Sequence, residues 1–264
     1  MNLQGRAAIV TGSGGSGCGR AIALRLAAEG ARVIVSDLNA EGGRETVEQI
    51  AAAGGRAAFC AADVRREDQI RELVGFAERE FGGLGVVVNN ATAPFEHGYE
   101  MGGWQTTAET DFVGPLLMIR AAVESMRRAQ SGGAIVNISS ISALWHGRRT
   151  PAGAPVFDAA KAGLMRLTTG LAELAKTDGI RVNCLAPGWI ATEGPRTYWE
   201  SLTPEQRVER GVPARLLGTE EIAGMVVRLA RDESLAGRVL LWWSDDAPRM
   251  IEWGDRGYRA AAAF

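Results

Sequence analysis

Short runs of valine, isoleucine and alanine recur along this chain, and between them lie longer stretches whose apolar residues have helical spacing. Such alternation is the pattern of repeated βαβ units, which close into a parallel sheet with helices on both faces. The expected strands are Ala7–Val10, Arg32–Ser36, Ala57–Ala61, Val86–Asn89, Ala134–Ile138, Arg181–Ala186 and Val239–Leu241. Several are apolar throughout, as strands covered on both faces must be. Helices are expected near 18–29, 41–53, 66–81, 104–129, 157–177 and 219–231. Within 157–177, Leu164, Leu167, Leu171 and Leu174 recur at intervals of three and four, a core-facing stripe. The expectation is one α/β domain over residues 1–264, a doubly wound parallel sheet of about seven strands. The segments His146–Pro155 and 194–215 and the tail 242–264 fall outside this periodicity.

The first strand runs into Thr11-Gly12-Ser13-Gly14-Gly15-Ser16-Gly17-Cys18-Gly19, and a helical pattern opens directly after it. Glycines placed there let the backbone turn sharply and approach a pyrophosphate, whose charge rests on the N–H groups at the helix start. The strand-turn-helix context makes this a Rossmann-type dinucleotide site. Asp37 closes the second strand, where a carboxylate accepts both adenosine-ribose hydroxyls and repels a 2′-phosphate. Leu38 follows it and no residue of Ser13–Ser16 is basic, so the expected cofactor is NAD rather than NADP. The plainer alternative for Asp37 is a helix N-cap.

Composition narrows the field further. A net charge of −2 from 29 basic and 31 acidic residues provides no basic stripe for nucleic acid. No apolar run approaches the length of about 18 residues that a membrane span needs. The start, MNLQGRAAIVTG, has no signal-peptide pattern, and Cys18, Cys60 and Cys184 are widely spaced and odd in number. They read as small buried residues of a cytoplasmic protein, without metal-ligand spacing.

Six ordered segments make the chain resemble the short-chain dehydrogenase/reductase family up to about residue 245. These are Thr11–Gly19, Asp63-Val64, Asn89-Asn90-Ala91, Asn137-Ile138-Ser139-Ser140, Phe157-Asp158-Ala159-Ala160-Lys161 and Pro187-Gly188-Trp189-Ile190-Ala191-Thr192. The resemblance implies hydride transfer between a nicotinamide and the carbon of a secondary alcohol or ketone. It assigns cofactor contacts to Gly12, Ser16, Gly17, Cys18, Gly19, Asp37, Asp63, Val64, Asn90, Lys161, Pro187, Gly188, Ile190 and Thr192. It also implies that Ser140 anchors the substrate oxygen, that position 157 carries the acid–base group, and that Lys161 clamps the nicotinamide ribose and tunes that group. The spacing of four puts 157 and 161 on one helix face.

The departures are informative. The family's catalytic tyrosine is replaced by Phe157, which has no proton to give or take. General acid–base assistance is worth about 10²–10⁴ in rate, so the chain is expected to be impaired or inactive by that mechanism. Phe157 is either natural or an introduced Tyr-to-Phe change, and retention of Ser140, Lys161, Asp37 and the glycine turn favours a parent with tyrosine. Asp111 takes the place of the relay asparagine; it can still accept hydrogen bonds from water or Lys161, or serve simply as a helix-start acid. Thr92 takes the place of a glycine, and the glycine turn has one residue more than usual. An insertion around His146-Gly147-Arg148-Arg149-Thr150-Pro151 falls at the substrate pocket, where His146 is a candidate acid and the arginines a candidate anion clamp.

Trp145, His146, Trp189 and Trp199 fall in segments that border the substrate in the family layout, with 194–215 as substrate loop. They suggest an apolar or ring-containing small molecule, against the alternative of core packing. The aromatic tail is expected to fold over this pocket or a neighbour's. The family resemblance also implies a homotetramer or homodimer packed through 104–129 and 157–177. The competing functional readings are a dinucleotide-binding sensor or scaffold without hydride chemistry, and an enzyme of elimination or isomerisation using Asp111 or His146.

Overall fold

The computed structural model describes residues 1–94, 101–145 and 154–254, with Met101 described in its backbone only. His146, Arg148, Arg149 and the last ten residues of the tail lie outside these. Among the described residues one sheet of eight strands has the order β3-β2-β1-β4-β5-β6-β7-β8. The strands are β1 (Ala7–Thr11), β2 (Arg32–Asp37), β3 (Arg56–Ala61), β4 (Val86–Asn89), β5 (Gly133–Ile138), β6 (Ile180–Pro187), β7 (Val239–Trp242) and β8 (Arg249–Met250). All pairings are parallel except β7 with β8. The chain order reverses between β1 and β4, and a crevice at the carboxyl ends of strands at such a switch point is where α/β sheets bind ligands.

Strand periodicity distributes the core over two faces. Val86 and Val88 of β4 point into the layer containing Ile22 and Leu26 of α1 (Cys18–Ala28), together with Ile222 and Val226 further along the chain. Val87, between them, points to the other layer, with Leu73 and Met118. The helices in chain order are α1, α2 (Ala40–Ala52), α3 (Glu67–Phe81), α4 (Trp104–Ala108), α5 (Gly114–Ala129), α6 (Pro155–Gly170), α7 (Leu174–Thr177), α8 (Glu193–Glu200), α9 (Pro204–Glu209) and α10 (Thr219–Arg231). α3 buries Ile70, Leu73, Val74, Ala77 and Phe81 on one stripe and stops at Gly82, which adopts the left-handed conformation at φ 77°.

Four expectations need correction. The helix expected over 104–129 is interrupted by a π turn, Glu109–Val113. Pro115 follows, with no N–H for the carbonyl four residues back, so a regular helical turn cannot form there. The helix expected over 157–177 begins at Pro155, ends at Gly170 and resumes as α7; Leu164 is buried, while Leu167, Leu171 and Leu174 are partly buried against the core. The segment 194–215 is not irregular. It holds α8 and α9, and α9 starts at a capping box in which Thr203 and Gln206 bond each other's backbone N–H, with Pro204 in the first turn. The described part of the tail adds β8 to the sheet edge, with Leu240 opposite Met250 and Leu241 opposite Arg249.

Candidate functional site

The glycine turn is held from three sides. Gly12 has φ +67°, and a Cβ there would sit 2.7 Å from Ala91 Cα. At Gly19 a Cβ would come within 2.0 Å of the Gly12 carbonyl oxygen and 2.6 Å of the Asn90 side-chain nitrogen. Asn90 uses that nitrogen to donate to the carbonyls of Thr11 (2.9 Å) and Gly12 (3.0 Å), so its side chain braces the turn. Arg20 supports the far side, donating to Thr46 Oγ1, to the Glu45 carboxylate and to the carbonyls of Gly14 and Gly42.

Asp37 closes the third side. Its Oδ2 accepts the Gly14 N–H at 2.7 Å and its Oδ1 accepts the Asn39 N–H at 2.9 Å. The N-cap of α2 is Asn39, which accepts from the Gly42 N–H, so Asp37 is not the helix cap. Each carboxylate oxygen of Asp37 keeps acceptor capacity for a further donor. α1 begins at Gly17 without a side-chain cap and has no acidic residue in its first turn, which suits an incoming anion. Ser16 and Gly17 there face Ala191, Thr192, Glu193, Gly194, Arg196 and Thr197 across a cleft of about 570 Å³. The residues present therefore fit a dinucleotide: uncapped N–H groups for its pyrophosphate, and a carboxylate at the ribose end.

Of the expected cofactor residues, Ser16, Gly17 and Thr192 line this cleft. Cys18 is buried in the first turn of α1, and burial pushes its thiol up to about 11. Asp63 is held below the usual carboxylate range by hydrogen bonds from the Arg65 guanidinium, and Val64 packs where a Cβ on Gly114 would meet it at 3.0 Å. Pro187 ends β6, Gly188 donates to the Trp242 carbonyl at 2.7 Å, and Ile190 forms a parallel bridge with Leu217. Thr192 then occupies the N-cap position of α8 without a capping hydrogen bond from its side chain.

At the end of β5, Ser140 caps a short 3₁₀ turn, Ile141–Leu144, by accepting the Ser142 N–H at 3.2 Å. Its hydroxyl lies 2.9 Å from that of Ser142. The neighbouring Ser139 donates to the Lys161 carbonyl at 2.8 Å, tying this strand end to α6. Register is fixed deeper down by a buried chain from Asn89 to Asn137 (2.8 Å) and from Asn137 to Thr168 (2.9 Å).

Lys161 is 4 % exposed and Asp111 is fully buried, and the two form an ion pair at 2.9 Å. The ammonium also donates to the Ile138 carbonyl at 3.1 Å and lies 5.3 Å from the centroid of the Phe157 ring. Asp111 comes from the π turn. Its Oδ1 accepts from the Thr92 hydroxyl at 2.6 Å and its Oδ2 from the Ala93 N–H at 3.0 Å. Two of the family departures, at positions 92 and 111, are thus bonded to each other.

The aromatic residues form two pairs. Trp145 packs against Trp243 with centroids 5.7 Å apart, and Trp189 stacks on Tyr198 at 5.9 Å. Trp199 does not join them: its indole donates to the Pro213 carbonyl and its ring is covered by the Arg207 guanidinium, so it stabilises the α8–α9 segment. Trp243 takes the place expected of Trp199, set 3.1 Å from where a Cβ on Gly188 would lie. Sequence reasoning did not place Trp243 with Trp145 because it belongs to the tail, and it noted Thr92 without its bond to Asp111, 19 residues away. Among the described residues no group of His, Cys, Asp and Glu is arranged to hold a metal, and no helix is long and apolar enough to cross a membrane.

Comparison with known proteins agrees with this architecture. Residues 6–202 match the family model described as short chain dehydrogenase. The chain is 36 % identical over 242 residues to "Probable galactose dehydrogenase GalD" of Rhizobium meliloti, covering 89 % of this chain and 91 % of that one. It is 36 % identical over 251 residues to a cis-4-hydroxycyclohexanecarboxylate dehydrogenase of Sinomonas cyclohexanicum, covering 93 % and 92 %. A short-chain type dehydrogenase/reductase from Mycobacterium marinum superposes with a TM-score of 0.79 at 27 % identity, covering 92 % and 95 %. A strand-ordered set of motifs, a doubly wound sheet and matches across nearly the whole chain lead to one conclusion: the protein belongs to the short-chain dehydrogenase/reductase family of oxidoreductases.

Proposed function

We propose that the chain binds NAD(H) in the cleft between the glycine turn and Thr192, and acts there on a secondary alcohol or ketone. The observation that carries this reading is the Asp37 carboxylate seated on the Gly14 N–H at 2.7 Å. It holds the turn in shape and presents a negative charge where NADP would carry its 2′-phosphate. Leu38 beside it is exposed and offers no cation, while Arg20 is engaged by Glu45 and by backbone carbonyls. When bound, the nicotinamide supplies the hydride acceptor or donor. The chain's own residues then orient the substrate: the Ser140–Ser142 hydroxyl pair donates to its oxygen, and the Trp145–Trp243 and Trp189–Tyr198 pairs favour a ring-bearing or otherwise apolar molecule. Relatives named as dehydrogenases of galactose and of a hydroxycyclohexanecarboxylate support a hydroxylated ring compound.

Phe157 moves no proton, so turnover by this route is slow, and the same observation favours a second reading in which the chain binds the dinucleotide as a sensor without turnover. Calorimetry with NADH and NADPH tests the shared premise. NADH is expected to bind at least about tenfold more tightly, a difference of about 1.4 kcal/mol. Binding of neither dinucleotide would overturn both readings, and hydride exchange across a panel of cyclic alcohols separates them. Val113 and Leu116, 37 % and 40 % exposed, support packing of a second copy along α5, to be checked by light scattering.

A further inference from the structure

Three departures from the family pattern are linked in one chain of contacts: Thr92 to Asp111, Asp111 to Lys161, and Lys161 to Phe157. Lys161 receives the Asp111 carboxylate at 2.9 Å and has the Phe157 ring at 5.3 Å, and Asp111 is in turn fastened by Thr92 at 2.6 Å. A buried ammonium without a counter-charge is costly. In a site with a tyrosine at 157, the lysine charge is used to stabilise the phenolate. A phenyl ring needs no such help and offers no anion.

We propose that Thr92, Asp111 and Phe157 form a single charge-balanced unit, in which Asp111 neutralises Lys161 because no acid–base phenol is present, so that Phe157 belongs natively to this site. Lys161 then serves as a holding residue, with two of its three N–H donors given to Asp111 and the Ile138 carbonyl. Thr92 and Asp111 are positioning residues, acting through Lys161. The role given to Lys161 rests on the dinucleotide reading above, while the charge pairing itself does not.

The groups that bear on the Lys161–Phe157 pair come from several elements. Asp111 is on the π turn. Cys184 of β6 is neutral, its thiol pushed up by burial to about 12 against the pull of Lys161. Glu109, at the start of the π turn, is bonded to Gln105, and Asp158 beside Phe157 on α6 is half-buried. Asp111 is therefore the charge in contact with Lys161 among the described residues.

The test is a spectroscopic titration of a phenol placed at the site, which requires neither substrate nor cofactor. Tyrosinate absorbance is followed against pH for Phe157→Tyr and for Phe157→Tyr/Asp111→Asn, each as a difference from the same chain with Phe at 157. This subtracts the three existing tyrosines. With Asp111 present, the new phenol is expected to titrate at or above the ordinary tyrosine value of about 10. With Asp111→Asn, the unmasked Lys161 charge is expected to weaken its proton affinity by a factor of about ten or more. Equal midpoints in the two backgrounds would overturn the proposal. Should Asp111→Asn fail to fold, adding Lys161→Met reads the same coupling: recovered folding supports the pairing, and no recovery overturns it. Because these readings are made without dinucleotide, a failure here is distinct from a failure of the NAD(H) assignment, which calorimetry decides.

Discussion

The guanidinium of Arg181 donates to the main-chain carbonyl of Asp232 at 2.7 Å, locking β6 beneath the C-terminal end of α10. The same side chain reaches the carbonyls of Leu229 and Ala230, groups that a helix end leaves without intrahelical partners. Burial pulls its proton affinity below the usual arginine value, against the opposing pull of the Glu233 and Asp232 carboxylates.

Arg181→Met should therefore destabilise the fold by about 2–4 kcal/mol, combining lost charge-assisted hydrogen bonds with carbonyls left unsatisfied. A lower midpoint in urea with an unchanged slope is the expected result. Arg181→Lys should recover less than half, since a single ammonium cannot span the same acceptors.

Two glycines of one turn should respond very differently. At Gly19 an added methyl meets the Gly12 carbonyl oxygen at 2.0 Å, a backbone atom that cannot swing aside. Gly19→Ala is expected to lower stability by more than about 2 kcal/mol and to abolish dinucleotide binding. At Gly15 nothing lies within 4 Å, so Gly15→Ala should leave the melting temperature nearly unchanged, within about 0.5 kcal/mol.

Cofactor choice should follow residues 37 and 38. Asp37→Ala removes an acceptor and loosens Gly14, and NADH affinity is expected to fall by about 10- to 100-fold, the worth of one or two hydrogen bonds to a charged group. Combining Asp37→Ser with Leu38→Arg should reverse the preference toward NADPH. Calorimetry on the folded variants reads both.

Acid stability should carry the signature of Asp178. Arg127 donates to both of its carboxylate oxygens, at 2.7 and 2.8 Å, and with Thr177 holds its pKa down at about 2. A carboxylate depressed in the folded state adds stability above its unfolded pKa and loses it as pH falls toward the folded one. Stability should consequently fall between about pH 4 and pH 2, and Asp178→Asn should flatten that part of the curve.

Most of this architecture was legible because its causes are local. β-branched runs and glycine spacing each act over a few residues, and they located the seven parallel strands to within a residue or two. Features that depend on a partner distant in sequence were hidden. The π turn buries Asp111 and is followed by Pro115, and nothing in residues 109–113 alone announces it. One aromatic pair joins Trp145 with Trp243, almost a hundred positions apart, so Trp199 looked equally suitable from its place in the loop. The start of α9 was different in kind: Thr203-Pro204-Glu205-Gln206 is a readable capping signal that the irregular composition around it obscured.

The short strand β8 matters beyond the pairing that it makes. A parallel sheet of this type ends in a strand whose outer row of N–H and C=O groups invites pairing with any extended chain. Arg249 and Met250 occupy that row against β7, Ile251 adds a bond to the Val239 carbonyl, and Pro248 stands just ahead of them. This pairing fills part of the outer row of β7 and moves that edge of the sheet out to a strand of two residues, too short to offer an extended chain a long template.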